Sequence, residues 1–394
     1  MILALHTRYR TTGGEERAIE DLIWLAREHL GEDVEELERD SAALGRAGAA
    51  RGLLRGGLHP EDVTDAVRRT RADVVHAHNL LPAFGWRALA AAQAAGAATV
   101  LHLHNYRLVC AVGTCVDPAG EDCTRCHGRR TGPGLRQGCR GSLPEAAVYA
   151  AALATWQARM VRHADVVVVP SAAAADRLHA LGAPVDGVRV VPHVVRAAAD
   201  PSPVPGGDAR GPAIVVSRLA PEKGVAFAVQ ACAAAGVGLV VAGDGPEAAA
   251  LRLVAVAAGL DVLEGAGGPA PGSGAVRFTG RVDDDALAAL RASASVELLP
   301  SLAHETFGLT AIEALAAGLP VIASAVGALA ALPDPVTLVA PGDAAAIAAA
   351  LPAARASAAV AAVSGPLAAA RIAGPGVVAP QLAAIYATAR SSVG

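Results

Sequence analysis

Short runs of β-branched and aliphatic residues recur along the chain, separated by longer stretches in which apolar positions return every three or four residues. Ile2 to Leu5, Asp73 to Ala77, Thr99 to Leu103, Asp165 to Val169 and Val188 to Val191 form a first set of such runs. Ala213 to Ser217, Val237 to Ala242, Val276 to Thr279, Ser295 to Leu299, Pro320 to Ala323 and Val336 to Val339 form a second. They are rich in Val and Ile with little polar alternation, which predicts parallel strands covered on both faces by helices. Between the sets, Ala197 to Pro212 reads A-A-A-D-P-S-P-V-P-G-G-D-A-R-G-P, the composition of a linker. The pattern predicts an α/β chain of two doubly wound, Rossmann-like domains with a boundary near residue 198, and ligands at the carboxyl ends of the strands, in the cleft between the domains. A second Gly/Pro-rich stretch, Gly265 to Gly274, reads as a surface loop of the second domain.

One stretch carries more chemistry than the rest. Pro300 to Ser324 reads P-S-L-A-H-E-T-F-G-L-T-A-I-E-A-L-A-A-G-L-P-V-I-A-S: strand end, loop, helix, loop, strand. Leu309, Ile312, Leu315 and Ala316 recur at helical spacing, and Gly318 followed by Pro320 is a stop signal. The spacing predicts a helix beginning near Phe307, with Gly308 and Leu309 in its first turn. The unpaired N–H groups of that turn, at the positive end of the dipole, suit an anion such as phosphate. Glu305 precedes the helix and Glu313 lies eight residues on, which places both carboxylates on one side of the site. Carboxylates beside an anion site suit sugar hydroxyls, one at each end of a diphosphate.

Other candidates lie at strand ends. Thr11 to Arg17, T-T-G-G-E-E-R, opens an amphipathic helix, and Gly13 and Gly14 let backbone approach a ligand without a Cβ in the way. In A-I-V-V-S-R-L-A-P-E-K-G-V, Arg218 and Lys223 leave a strand as two positive charges suited to a diphosphate. Gly243 to Pro246, G-D-G-P, also joins a strand to a helix, but it lacks the third glycine and acidic partner of a dinucleotide fingerprint. Of six cysteines, five fall between Cys110 and Cys139. Cys110, Cys123, Cys126 and Cys139 are spaced C-x12-C-x2-C-x12-C, with Cys115 as an alternative member. In a reducing compartment such thiols suggest a structural zinc site, with free thiols or a disulfide as the other readings.

Taken together, S-x3-E-x-F-G-L…E-A-x-A-x-G-x-P-V, the R-L-x3-K-G run and V-R-F-T-G-R (Val276 to Arg281) resemble family 4 of the retaining, GT-B type glycosyltransferases. The resemblance implies two Rossmann-like domains facing a central cleft and a C-terminal helix, 380–394, that returns to the first domain. It implies a nucleotide-diphosphate sugar as donor, a hydroxyl-bearing acceptor and no catalytic metal. Glu305 and His104 would position the transferred sugar, Glu313 would clasp the ribose, and Arg218, Lys223 and the helix start would stabilise the departing diphosphate. Gly13, Gly14 and Gly243 would lie near the donor, while Thr279 and Gly280 would sit at the pocket for the base. His76 and His78 are read as structural or acceptor-side, and the Cys-containing segment 107–142 resembles an insertion in a bacterial subset of the family. The chain departs from the family pattern after Ser324, where A-V-G-A-L-A-A-L replaces a paired glycine and a glutamate, and at V-V-P-H-V-V (Val190 to Val195), where an Asn-Gly turn is common.

Composition narrows the partners. At 394 residues and 53% hydrophobic content the chain can bury two cores, and a net charge of −4 gives no footprint for nucleic acid. The start lacks a basic leader, and no apolar run is expected to reach the ~18 residues of a spanning helix; Ala146 to Trp156 reads as a buried helix. The expectation is a cytoplasmic protein, compatible with peripheral contact at the inner face of the membrane. Two rivals stand beside the glycosyltransferase reading: a sugar-nucleotide epimerase or phosphorylase on the same fold, and a catalytically silent, zinc-stapled binding protein.

Overall fold

The computed structural model describes residues 1–8, 13–200, 202–204 and 207–393. Two compact units emerge, Met1–Val194 together with Pro375–Gly394, and Val195–Gly374. The first boundary thus falls four residues before the expected position, and the returning segment starts at Pro375 rather than Pro380.

Among the described residues, the first unit holds a six-stranded sheet of order β2-β1-β3-β4-β5-β6. Its strands are β1 (Ile2–Arg8), β2 (Val34–Asp40), β3 (Val74–Ala77), β4 (Ala98–His102), β5 (Val166–Val169) and β6 (Arg189–Val190), all paired in parallel. Neighbouring residues feed opposite faces: Val75 joins Leu3, Leu5 and Phe84 on one side, while Val74 joins Ile2, Val100 and Val168 on the other. That second face is closed by the helix Pro375–Ser391 through Val378, Leu382 and Tyr386. Arg390 of this helix bonds Asp73 and Glu32, and the Tyr386 hydroxyl lies 2.9 Å from His76 Nδ1.

The second unit holds a seven-stranded parallel sheet of order β13-β12-β11-β7-β8-β10-β9. It comprises β7 (Ala213–Val216), β8 (Leu239–Ala242), β9 (Asp261–Glu264), β10 (Ala275–Gly280), β11 (Val296–Leu299), β12 (Val321–Ser324) and β13 (Val336–Val339). Val215, Val241, Leu298 and Ile322 point into one core, and Ile214, Val240, Leu299 and Val321 into the other. The expected loop Gly265 to Gly274 joins β9 to β10, and Arg277 gathers its carbonyls, with Gly267 O at 2.6 Å and Pro269 O at 3.1 Å.

The expectation of no membrane-length apolar run needs correction. Ala358–Ser391 is long and apolar enough by composition, with half of its most apolar window buried inside the protein. It divides at Gly374: Ala358–Ala373 packs on the second unit through Ala368, Ala369 and Ala373, and Pro375–Ser391 on the first. Alanine-rich helix faces raise mean hydropathy here because they are core faces.

Candidate active site

At the end of β11 the chain turns through residues 300–308 into the helix Leu309–Ala316, two residues later than Phe307. Gly308 caps it in the left-handed region at φ 89°. The Phe307 side chain is buried in the core beneath, so its contribution to an anion site is through backbone. Glu305, in the loop, accepts from Lys223 Nζ at 2.7 Å and from Ser301 Oγ at 2.7 Å. Burial pushes this carboxyl up, but the charge and hydrogen bond of Lys223, the Ser301 hydroxyl and the charge of Arg218 outweigh it, leaving Glu305 below the ordinary carboxylate value.

Lys223 reaches Glu305 because the loop after β7 docks against the loop after β11. Gly224 has φ 61°, and a Cβ there would lie 2.1 Å from Pro300 O. The N–H groups of Leu302 and Ala303 both donate to Glu222 O. The K-G pair is therefore one device, with glycine permitting the approach and lysine exploiting it. Arg218 is paired with Glu222 four residues on, and its side chain is 40% exposed.

Glu313 belongs to a buried ionic trio. Arg291 donates through Nε to Glu297 Oε2 at 2.9 Å and through Nη2 to Glu297 Oε1 at 3.2 Å and Glu313 Oε2 at 3.0 Å. Glu297 is fully buried on β11. Sequence reasoning missed Arg291 and Glu297, although the signal was present: a glutamate inside the apolar run S-V-E-L-L demands a cationic partner.

The remaining candidates of this unit cluster at the ends of β8 and β10. Gly243 donates its N–H to Gly280 O at 2.9 Å. A Cβ on Gly243 would lie 1.9 Å from Ser217 O, so this glycine serves close backbone contact, not only ligand approach. A Cβ on Gly280 would meet open space. The Thr279 hydroxyl is turned back to its own chain, 2.8 Å from Gly280 O.

In the first unit, a pocket is lined by Glu15, His78, Trp86, His102, His104 and Asn105, among others. Gly13 donates to Glu16 Oε2 at 2.7 Å at the start of the helix Gly14–Leu30, and Asn105 Nδ2 donates to Glu15 Oε2 at 2.8 Å. The glycine turn and the H-N-Y-R strand end therefore meet at one place; Thr11 and Thr12 of that turn lie outside the described residues. His104 is buried, with Nε2 2.9 Å from His78 Nδ1 and Nδ1 3.5 Å from His193 Nε2. His102 stacks on it with ring centroids 4.3 Å apart, and His76 stacks on His78 at the same separation.

Burial pushes every imidazole of this column down, His76 and His193 to about 3, and His78, His102 and His104 well below the ordinary value. His104 is thus a neutral hydrogen-bonding group. Ring nitrogens of His76, His78 and His102, and of His102, His104 and His193, lie within 4.8 Å of one another. The ring planes run within 8° to 32° of parallel. Sequence reasoning missed Glu15 and Asn105 as parts of this pocket, and His193 as a member of the histidine column.

Family models match residues in both units. The family model described as "Glycosyl transferases group 1" matches residues 212–354, and "Glycosyl transferase 4-like domain" matches residues 15–193. A 2-deoxystreptamine glucosyltransferase of Streptomyces kanamyceticus is 38% identical over 147 residues, 35% of each chain. A GDP-mannose-dependent alpha-(1-6)-phosphatidylinositol dimannoside mannosyltransferase of Mycobacterium tuberculosis is 41% identical over 118 residues, 28% of this chain and 26% of that one. These alignments span about a third or less of the relatives' lengths. Among solved structures, the Anabaena protein HepE in complex with UDP superposes with TM-score 0.63 at 19% identity, over 98% of this chain and 99% of that one.

Proposed function

This chain belongs to family 4 of the GT-B glycosyltransferases, and from that premise we propose that it moves a hexose from a nucleoside diphosphate sugar to an acceptor hydroxyl with retention of configuration and without a catalytic metal. The observation that carries the reading is the Lys223–Glu305 contact of 2.7 Å immediately before the helix Leu309–Ala316. A cation, a carboxylate and a helix start brought together by two docked loops suit the bond between a sugar and a diphosphate, where negative charge develops on the phosphate oxygen.

In this reading the ammonium of Lys223, which carries three N–H donors, keeps its bond to Glu305 and offers another to the diphosphate. Arg218 adds a second cation from beside Glu222, and the backbone at Gly308 and Leu309 faces the phosphates. Glu305 takes hydroxyls of the transferred sugar; Glu313, held by Arg291, takes the ribose. The leaving phosphate oxygen accepts the proton of the acceptor hydroxyl on the face from which the bond broke. Within the first unit, the pocket that holds His104, neutral and bonded to His78, receives the acceptor. The donor class is supported by the similarity to a UDP-bound structure, and an acceptor of the cyclitol or inositol-lipid kind by the activities of the two relatives.

The test is a panel of nucleoside diphosphate sugars in a thermal-shift assay, followed by product analysis by NMR. A true donor at about 100 times its Kd should stabilise the protein by ~2.7 kcal/mol. The new glycoside should carry the anomeric configuration of the donor. A panel in which no sugar nucleotide raises the Tm, or a product of inverted configuration, would overturn the proposal.

A further inference from the structure

Residues 107–142 form a long excursion between β4 and the helix Leu143–Arg162, and they contain little regular structure. Among the described residues the segment holds one helical turn, Gly132–Arg136, and two isolated bridges, Val116 with Asp122 and His127 with Arg130. Such a loop would pay a large conformational entropy to be ordered, and it has few apolar side chains to repay it. Yet it brings its five cysteines, from three separate turns, to the lining of a single small pocket. The sixth cysteine, Cys232, is buried elsewhere in the core of the second unit.

We propose that Cys110, Cys123, Cys126 and Cys139 form a tetrahedral tetrathiolate site for a structural zinc ion that staples this segment. Cys123 and Cys126 supply the close C-x2-C pair, and Cys110 and Cys139 close the site from either end of the loop. The thiols have no strong partners competing for them: Cys126 Sγ is 3.7 Å from Thr131 O, and Cys139 Sγ is 3.9 Å from Gln137 Oε1. Gly113 donates its N–H to Cys110 Sγ at 3.4 Å, the kind of backbone bond that supports a ligating sulfur. Cys115, also in the lining of the pocket, is buried. Each thiol that binds gives up its proton to solvent as its Zn–S bond forms, and Arg125, 3.9 Å from Cys123 Sγ, offsets part of the remaining negative charge. The site stands apart from sugar transfer, and its readout is metal content.

Full-length protein purified under reducing conditions should contain about one zinc per chain by elemental analysis. Cobalt exchanged into it should show thiolate-to-metal charge transfer with the visible bands of a tetrahedral tetrathiolate. Cys126→Ser and Cys139→Ser should lose most of the zinc, whereas Cys115→Ser and Cys232→Ser should retain it. If the first two variants fail to fold, the cobalt spectrum of the unaltered protein decides. Zinc-free protein whose thiols react freely with a disulfide reagent, a disulfide in the intact mass, iron with sulfide in place of zinc, or zinc lost from Cys115→Ser but kept in Cys139→Ser would each overturn the assignment.

Discussion

At the scale of single residues, the two glutamates around the helix start hold unlike partners, and they should fail in unlike ways. Glu305 is bonded to Lys223, the cation proposed for the diphosphate, so it acts where charge changes during bond breaking. Glu305→Ala should mainly lower kcat and leave nucleoside diphosphate affinity close to wild type. Glu313 is anchored by Arg291 away from that bond, and holding a ribose equally in ground and transition states contributes to binding alone. Glu313→Ala should therefore mainly raise the donor KM and weaken nucleoside diphosphate binding. Affinity and donor kinetics measured on both variants decide the matter: nucleotide loss in Glu305→Ala with tight binding in Glu313→Ala would reverse the donor orientation. Lys223→Ala removes a charge-assisted bond of ~1.5–3 kcal/mol, which corresponds to a fall in turnover of roughly tenfold or more. Wild-type turnover in that variant would refute its role.

At the scale of elements, what was legible in the chain and what was not divides along physical lines. The central strands announced themselves because both their faces are buried, leaving runs such as Val166 to Val169 with no polar interruption. The two strands that escaped notice, β2 (V-E-E-L-E-R-D) and β9 (D-V-L-E), are edge strands. Charge on an edge protects it from pairing with other chains and also erases the hydrophobic signal by which a strand is read. The helix 309–316 was foreseen from its spacing, but its first residue was not, since the left-handed turn at Gly308 is a tertiary choice that lets the chain enter over Phe307. The Lys223–Glu305 contact joins residues 82 apart, and only the docking of two loops could reveal it. The returning helix Pro375–Ser391 was expected by resemblance alone, and its packing is now explicit: Leu382 is buried in the core of the first unit. Leu382→Ala should cost ~2–5 kcal/mol, whereas Tyr386→Phe, which removes the hydroxyl facing His76, should cost only about 1 kcal/mol. Urea unfolding of both variants tests the order; equal and small losses would show that this helix contributes little to the unit.

At the scale of the whole molecule, the two units differ in how they store titratable groups, and acid should separate them. Among the described residues, the buried histidines His76, His78, His102, His104 and His193 all belong to the first unit. Burial holds each imidazole below its ordinary value, so the folded state keeps them neutral while the unfolded chain takes up protons near pH 6.5. For a base with a lowered folded pKa the unfolded state binds more protons, so stability falls as pH drops below 6.5 and continues to fall toward the folded value near 3. Each such histidine lowers the stability of the first unit as pH falls through 6.5, and the five act in the same direction. In the second unit burial holds the Glu297 carboxyl above its ordinary value, which costs no stability as pH falls, while Glu305 is an acid held below its ordinary value. Its contribution is present above the unfolded carboxylate range and is lost only as pH falls through the lower folded value. The first unit should therefore lose protection first, in the window below pH 6.5, while the second persists to about pH 4. Hydrogen exchange corrected for intrinsic rates would show it: peptides covering β3, β4 and β5 should open before those covering β7 and β8. His102→Leu is the sharpest check, because both ring nitrogens of His102 lack a hydrogen-bond partner among the described residues and its replacement removes a titrating group without breaking a bond. That variant should move the acid midpoint of the first unit to lower pH; an unchanged midpoint, or simultaneous opening of both units near pH 4, would show that the histidine column does not set the acid limit.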